Sequence, residues 1–140
     1  MDYRRFGDRI VVRLDRGEEI LEQVEHLAKQ EDIHLAAVQA LGAVNDFTVG
    51  VFNTETKTYA SNRFQGPYEI VSLTGTIDRK DGQFYTHLHL SAGDQEGKVF
   101  GGHLNRGVIS ATCEMVVTLL DGEIDRAFDP EIGLNLIRFL

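Results

Sequence analysis

The sequence predicts an α+β fold, a mostly antiparallel β-sheet carrying one main α-helix in a single domain over residues 1–140. Three observations predict it. The length of 140 residues is that of one ordinary domain. One amphipathic segment lies near the N-terminus, and β-rich runs broken by Gly, Asn and Asp fill the rest. Strands and helices do not alternate regularly, as a parallel doubly wound sheet would require.

Ile10-Val11-Val12-Arg13-Leu14 is a β-branched run and reads as the first strand. Asp15, with Glu18 three residues later, forms a variant capping box, so a helix is expected from about Gly17 to Gln30. Within it Ile20, Leu21, Val24, Leu27 and Ala28 form one apolar stripe, while His26 falls outside it and reads as solvated. Strands are expected over about 34–44, 46–53, 57–64, 68–78, 83–92, 107–120 and 134–139. So many short strands leave edges that need cover, and pairing with copies of the same chain would supply it.

Composition bounds the function. Twenty-two acidic residues against 14 basic ones give a net charge of −8, which argues against direct nucleic-acid binding without a partner. Arg4, Arg5, Arg9 and Arg13 form the one local cation cluster and read as a solvated face. The single cysteine, Cys113, excludes an internal disulfide and fits a reducing compartment. Alternation within its strand makes it a small core residue rather than a nucleophile. Residues 1–8 carry no apolar signal segment and no run approaches the ~20 apolar residues that cross a bilayer, so a soluble, cytoplasmic protein is expected. Phosphate-binding and dinucleotide glycine motifs are absent.

The chemistry concentrates in Tyr85-Thr86-His87-Leu88-His89-Leu90-Ser91 and Gly101-Gly102-His103-Leu104. Side chains alternate along a strand, so Tyr85, His87, His89 and Ser91 share one face, and Phe84, Leu88 and Leu90 face the core. Between the two segments, Gly93-Asp94-Gln95-Glu96-Gly97-Lys98 is rich in turn formers. A hairpin centred near Glu96 sets His103 directly across from His89, with Cβ atoms about 4.5–5.5 Å apart. Three neutral imidazoles then make a tripod for zinc or a similar divalent transition metal and leave a coordination position open. A slip of one residue would send His103 to the opposite face. Gly101 and Gly102 let a small ligand or another backbone approach His103. His34 has no partner at ligand spacing and reads as structural. Glu69 and Glu114 interrupt apolar β-runs; each could orient a histidine or serve as the proton acceptor for water on the metal, or else form a salt bridge or face outward.

Gly42-Ala43, the run Gly66-Pro67 through Gly75, His87-Leu88-His89-Leu90-Ser91, Gly97, Gly101-Gly102-His103-Leu104, Gly107 and Thr112-Cys113-Glu114 together resemble the plant and prokaryote conserved (PPC) domain, over nearly the whole chain. The resemblance implies an α+β homotrimer with a metal-binding site at which His87, His89 and His103 are the ligands. The histidine set itself suggests a module that binds an unidentified small molecule at the metal, with metal-assisted catalysis as one use of the site. Plant members carry an AT-hook with an Arg-Gly-Arg-Pro core, which grips the A·T minor groove. This chain has no such tetrapeptide and resembles the standalone prokaryotic branch, so the DNA-binding designation carries over poorly. The alternative is a noncatalytic, transcription-regulating module that meets DNA through protein assembly.

Overall fold

The computed structural model describes residues 1–140. Eight strands and one helix follow in the order β1 (Asp2–Phe6), β2 (Arg9–Asp15), α1 (Ile20–Gln30), β3 (Ala36–Asn53), β4 (Thr58–Lys80), β5 (Gln83–Gly93), β6 (Val99–Leu119), β7 (Ile124–Asp129) and β8 (Leu134–Phe139). The main sheet runs β1-β2-β6-β3-β4-β5, every observed pairing is antiparallel, and β5 pairs back onto β6. Strands β3, β4, β5 and β6 thereby close on themselves, which removes two edges that would otherwise be open. β7 and β8 form a separate two-stranded hairpin.

Inside lies a cluster of 25 buried apolar residues, among them Phe47, Leu73, Leu88, Leu90 and Met115. The helix closes one side of it with Ile20, Val24, Leu27 and Ala28, the apolar stripe expected from the sequence, and His26 is exposed. Cys113 is fully buried, and desolvation pushes its thiol up to about 12.

The helix begins later than its capping pattern suggests. Gly17 N–H donates to the Ile109 carbonyl (2.8 Å) and Ile109 N–H donates to the Glu18 carbonyl (2.9 Å), so this segment is tied to β6 and cannot wind into the first turn. Glu19, not Asp15, is the N-cap, its carboxylate accepting from Glu22 N–H at 2.9 Å.

The runs 34–44 and 46–53 are one strand, as are 57–64 and 68–78. Irregularities at Ala40/Gly42 and Val44/Asp46 absorb the turn-forming residues without ending the ladder. β6 begins at Val99, eight residues before the expected start, and β1 and β7 are strands the sequence reading passed over. Arg4, Arg5, Arg9 and Arg13 are all exposed on the β1–β2 hairpin, as expected. No helix is long and apolar enough to cross a membrane.

Candidate metal centre

The turn after Gly93 is built by Asp94, whose carboxylate accepts from Glu96 N–H and Lys98 N–H at 2.9 Å each. That turn fixes the β5–β6 register, and His89 pairs with His103 as the spacing predicts. Leu88 and Leu90 anchor the opposite face in the core at 1% exposure each. His87, His89 and His103 therefore stand together on the outer face of the barrel, their ring nitrogens within 4.8 Å of one another. The His87 and His89 Nε2 atoms are 3.2 Å apart, and the ring centroids are separated by 5.1, 5.2 and 5.7 Å.

A tetrahedral ion at ~2.0–2.1 Å from each nitrogen needs donors about 3.4 Å apart. The His87–His89 pair meets this at 3.2 Å, and a ring nitrogen of His103 lies within 4.8 Å of both. Partial burial holds His87 below its ordinary value, with the neighbouring imidazoles and Arg126 adding to the effect and Asp78 opposing it. Burial, then His89, holds His103 down too. Both rings are thus neutral near pH 7 and offer lone pairs, so the donor set fits a borderline divalent metal such as zinc.

Close backbone packing fixes His103. A Cβ on Gly102 would lie 2.5 Å from the Gly50 carbonyl oxygen, and one on Gly101 would lie 2.7 Å from the Leu90 carbonyl oxygen. Both glycines thus admit the close approach of a neighbouring strand, one on either side of β6, and Gly102 also lines the groove over the histidines. Gly50 in turn leaves room for the Tyr59 ring, which sits edge-on to His103 (centroids 6.4 Å apart) and donates its hydroxyl to Asn105 Oδ1 at 2.7 Å.

A groove of about 1030 Å³ opens over the histidines, between the barrel and the β7–β8 hairpin. Arg126 on β7 pins that hairpin down at one end. Its Nε and Nη2 donate to the two oxygens of Asp78 at 2.7 Å each, Thr76 donates its hydroxyl to Asp78 at 2.8 Å, and the guanidinium lies 4.6 Å over the Tyr85 ring. Asp78 and Arg126 are buried, at 0% and 4% exposure, and the carboxylate raises the guanidinium still further above its ordinary value. At the other end Lys57 donates to the carbonyls of Glu131 and Ile132, and Gly133 packs against Phe52.

Glu69 and Glu114 are exposed and line no part of the groove. Glu114 alternates with buried Cys113 and Met115 and pairs with Arg13 and Leu41 in midsheet, while Glu69 pairs with Ala43 and Gly93. Of the alternatives open for them, outward-facing positions are what this fold provides. His34 is exposed between Glu123 (3.0 Å) and Asp32 (3.2 Å), away from the triad. Asp78 and Arg126 were missed by the sequence reading. Asp78 carried a usable signal, since it alternates with Thr74 and Thr76 on the strand beside the histidines.

Comparison with known proteins finds the same overall fold among solved structures. A protein from Bacteroides thetaiotaomicron described as a "putative DNA-binding protein" superimposes with a TM-score of 0.95 at 30% identity, covering 99% of this chain and 96% of that one. A metal-containing protein from Archaeoglobus fulgidus gives 0.87 at 35% identity and 97% coverage of both chains. A plant- and prokaryote-conserved protein from Pyrococcus horikoshii gives 0.85 at 32% identity, covering 99% and 94%. A Synechococcus bifunctional protein GlmU is 30% identical over 125 residues, which are 87% of this chain and 19% of that one, so the chain spans about a fifth of the length of this curated relative. The model of the Plants and Prokaryotes Conserved (PCC) domain matches residues 1–121, and the chain belongs to that family.

Proposed function

We propose that the chain is a metal-binding module in which His87, His89 and His103 hold one divalent transition metal, zinc by preference, and present its open position to a small molecule in the groove. The observation that carries this reading is the convergence of three imidazoles, two of them held neutral by burial, beneath a hairpin that leaves space above them. The description of the Archaeoglobus relative as metal-containing supports it. Such an ion supplies a Lewis acid with a free coordination site. Glu69 and Glu114 have no part in this reading, because both stand outside the groove.

Self-association, with a trimer as the expected order, belongs to the same proposal. Val11, Leu41, Val71 and Val116 are exposed apolar residues of the main sheet, at 46%, 56%, 61% and 38% exposure, and a second copy would cover them.

Native mass spectrometry of tag-free protein, with elemental analysis, tests metal and assembly together. One metal per chain is expected, lost on replacing the three histidines by alanine. A protein without stoichiometric metal after zinc addition at neutral pH would refute the reading. A second reading, a regulatory module reaching DNA through a partner, draws on the description of the Bacteroides relative. In this reading the partner makes the nucleic-acid contact, which the net charge of −8 favours, and the chain alone should give no gel shift with A·T-rich duplex at physiological salt.

A further inference from the structure

The two ends of the groove differ in chemistry. Along β5, Tyr85 and His87 precede His89; across the sheet His89 pairs with His103, and His103 with Gly50 of β3. Two residues beyond Gly50 on the same face, about 6–7 Å further on, stands Phe52. The hairpin runs parallel to this line, with Arg126 over Tyr85 at one end and Gly133 against Phe52 at the other. The triad therefore lies between a polar end, sealed by the Asp78–Arg126 pair, and an apolar end where Phe52 of β3 and Phe128, on the same hairpin face as Arg126, line the groove. Phe128 is 62% exposed, an apolar surface that a ligand chain could cover.

Charge decides the rest. No aspartate or glutamate lines the groove, although the chain carries 22 acidic residues. Asp78 and Arg126 cancel as a unit. Three neutral imidazoles around a divalent ion would leave two positive charges uncompensated in a half-buried site, where an anion is stabilised more than in bulk water. Thr74, exposed and paired with His89, offers a hydroxyl beside that position.

We propose that the groove binds a monocarboxylate bearing an apolar chain, its carboxylate at the triad metal and its chain along Phe52 and Phe128. This rests on the metal reading above. The chain-binding wall is a property of the hairpin and of the end of β3, not of the histidines, so head and tail of the ligand are recognised by separable parts of the protein.

The test uses the full chain loaded with cobalt(II), whose visible absorption bands report coordination, titrated with acetate, octanoate and octanol. A fully buried methylene adds about fourfold in affinity. With about half of six added methylenes covered in an open groove, octanoate should bind on the order of 50-fold more tightly than acetate, and octanol should leave the cobalt bands unchanged. The variant Phe128→Ala changes an exposed position; it should lose about fourfold for octanoate, the equivalent of one covered methylene, and keep the acetate affinity. Equal affinities for acetate and octanoate, or octanoate binding equally well to metal-free protein, would overturn the proposal while the metal site stands. Failure of cobalt to bind would overturn the metal reading and this proposal together.

Discussion

Replacing Arg126 by methionine removes two 2.7 Å charge-assisted hydrogen bonds and strands the Asp78 carboxylate, which has 0% exposure, with the Thr76 hydroxyl as its one remaining side-chain donor. Breaking a buried pair by removing one partner costs about 3–5 kcal/mol, because the surviving charge keeps its desolvation penalty. At about 2.1 cal/mol/K of unfolding entropy per residue, a 140-residue chain should lose about 10–17 °C in melting temperature. The double variant Asp78→Leu/Arg126→Met restores a matched apolar contact and should recover most of that loss, giving a large favourable coupling in a double-mutant cycle. Arg126→Lys keeps the charge but loses the planar fork and the stacking on Tyr85, and should fall between wild type and Arg126→Met. Thermal and urea denaturation of metal-free protein provide the readout. A cost below about 1 kcal/mol for Arg126→Met, or costs that simply add in the double variant, would refute the view that this pair holds the hairpin over the groove.

Four further outcomes follow from other parts of the structure. The folded state holds His87 and His103 below their ordinary 6.5, so protons bind the unfolded chain more readily. Stability of metal-free protein should be full above that value and decline as pH falls below it, and a urea midpoint constant from pH 8 to 5.5 would contradict this. Asp46, held at about 2 chiefly by the Arg63 hydrogen bond with Arg106 assisting, loses its contribution only at much lower pH. Gly102→Ala forces a Cβ to within 2.5 Å of the Gly50 carbonyl oxygen and should cost about 1–3 kcal/mol or more together with metal affinity; Gly93→Ala, whose nearest neighbour would be 3.6 Å away, should stay within about 0.5 kcal/mol of wild type in the same denaturation assay. Cys113, fully buried and with its thiol pushed up to about 12, should resist a colourimetric thiol reagent in native protein and react at once in denaturant.

The triad was legible in the sequence because everything that assembles it is local. Period-two alternation put His87 and His89 on one face, and a turn built on Asp94 and Gly97 set His103 opposite, within 20 residues of chain. The single helix was legible for the same reason, from its apolar stripe. The groove was not. Its covering strand, Ile124-Asp125-Arg126-Ala127-Phe128-Asp129, is short and charged, and its anchor Asp78 lies 48 residues away, a separation no spacing rule reaches. Strand β1 was hidden likewise by its charges, an edge strand that water can solvate. Turn formers misled where the closed sheet tolerates irregularities: Asn45 and Pro67 lie within or beside the Val44/Asp46 shift and end no strand.

The match to the family model stops at residue 121, and β7 and β8 both lie beyond it. The histidine cluster and the hairpin that covers it are thus encoded in different stretches of the chain. Under the proposed function, substitutions in the last 19 residues would retune which molecules are admitted while the histidine-bearing hairpin upstream stays untouched, so relatives sharing all three imidazoles need not share a ligand. Exchanging this terminal segment between homologues would be the natural way to transplant selectivity.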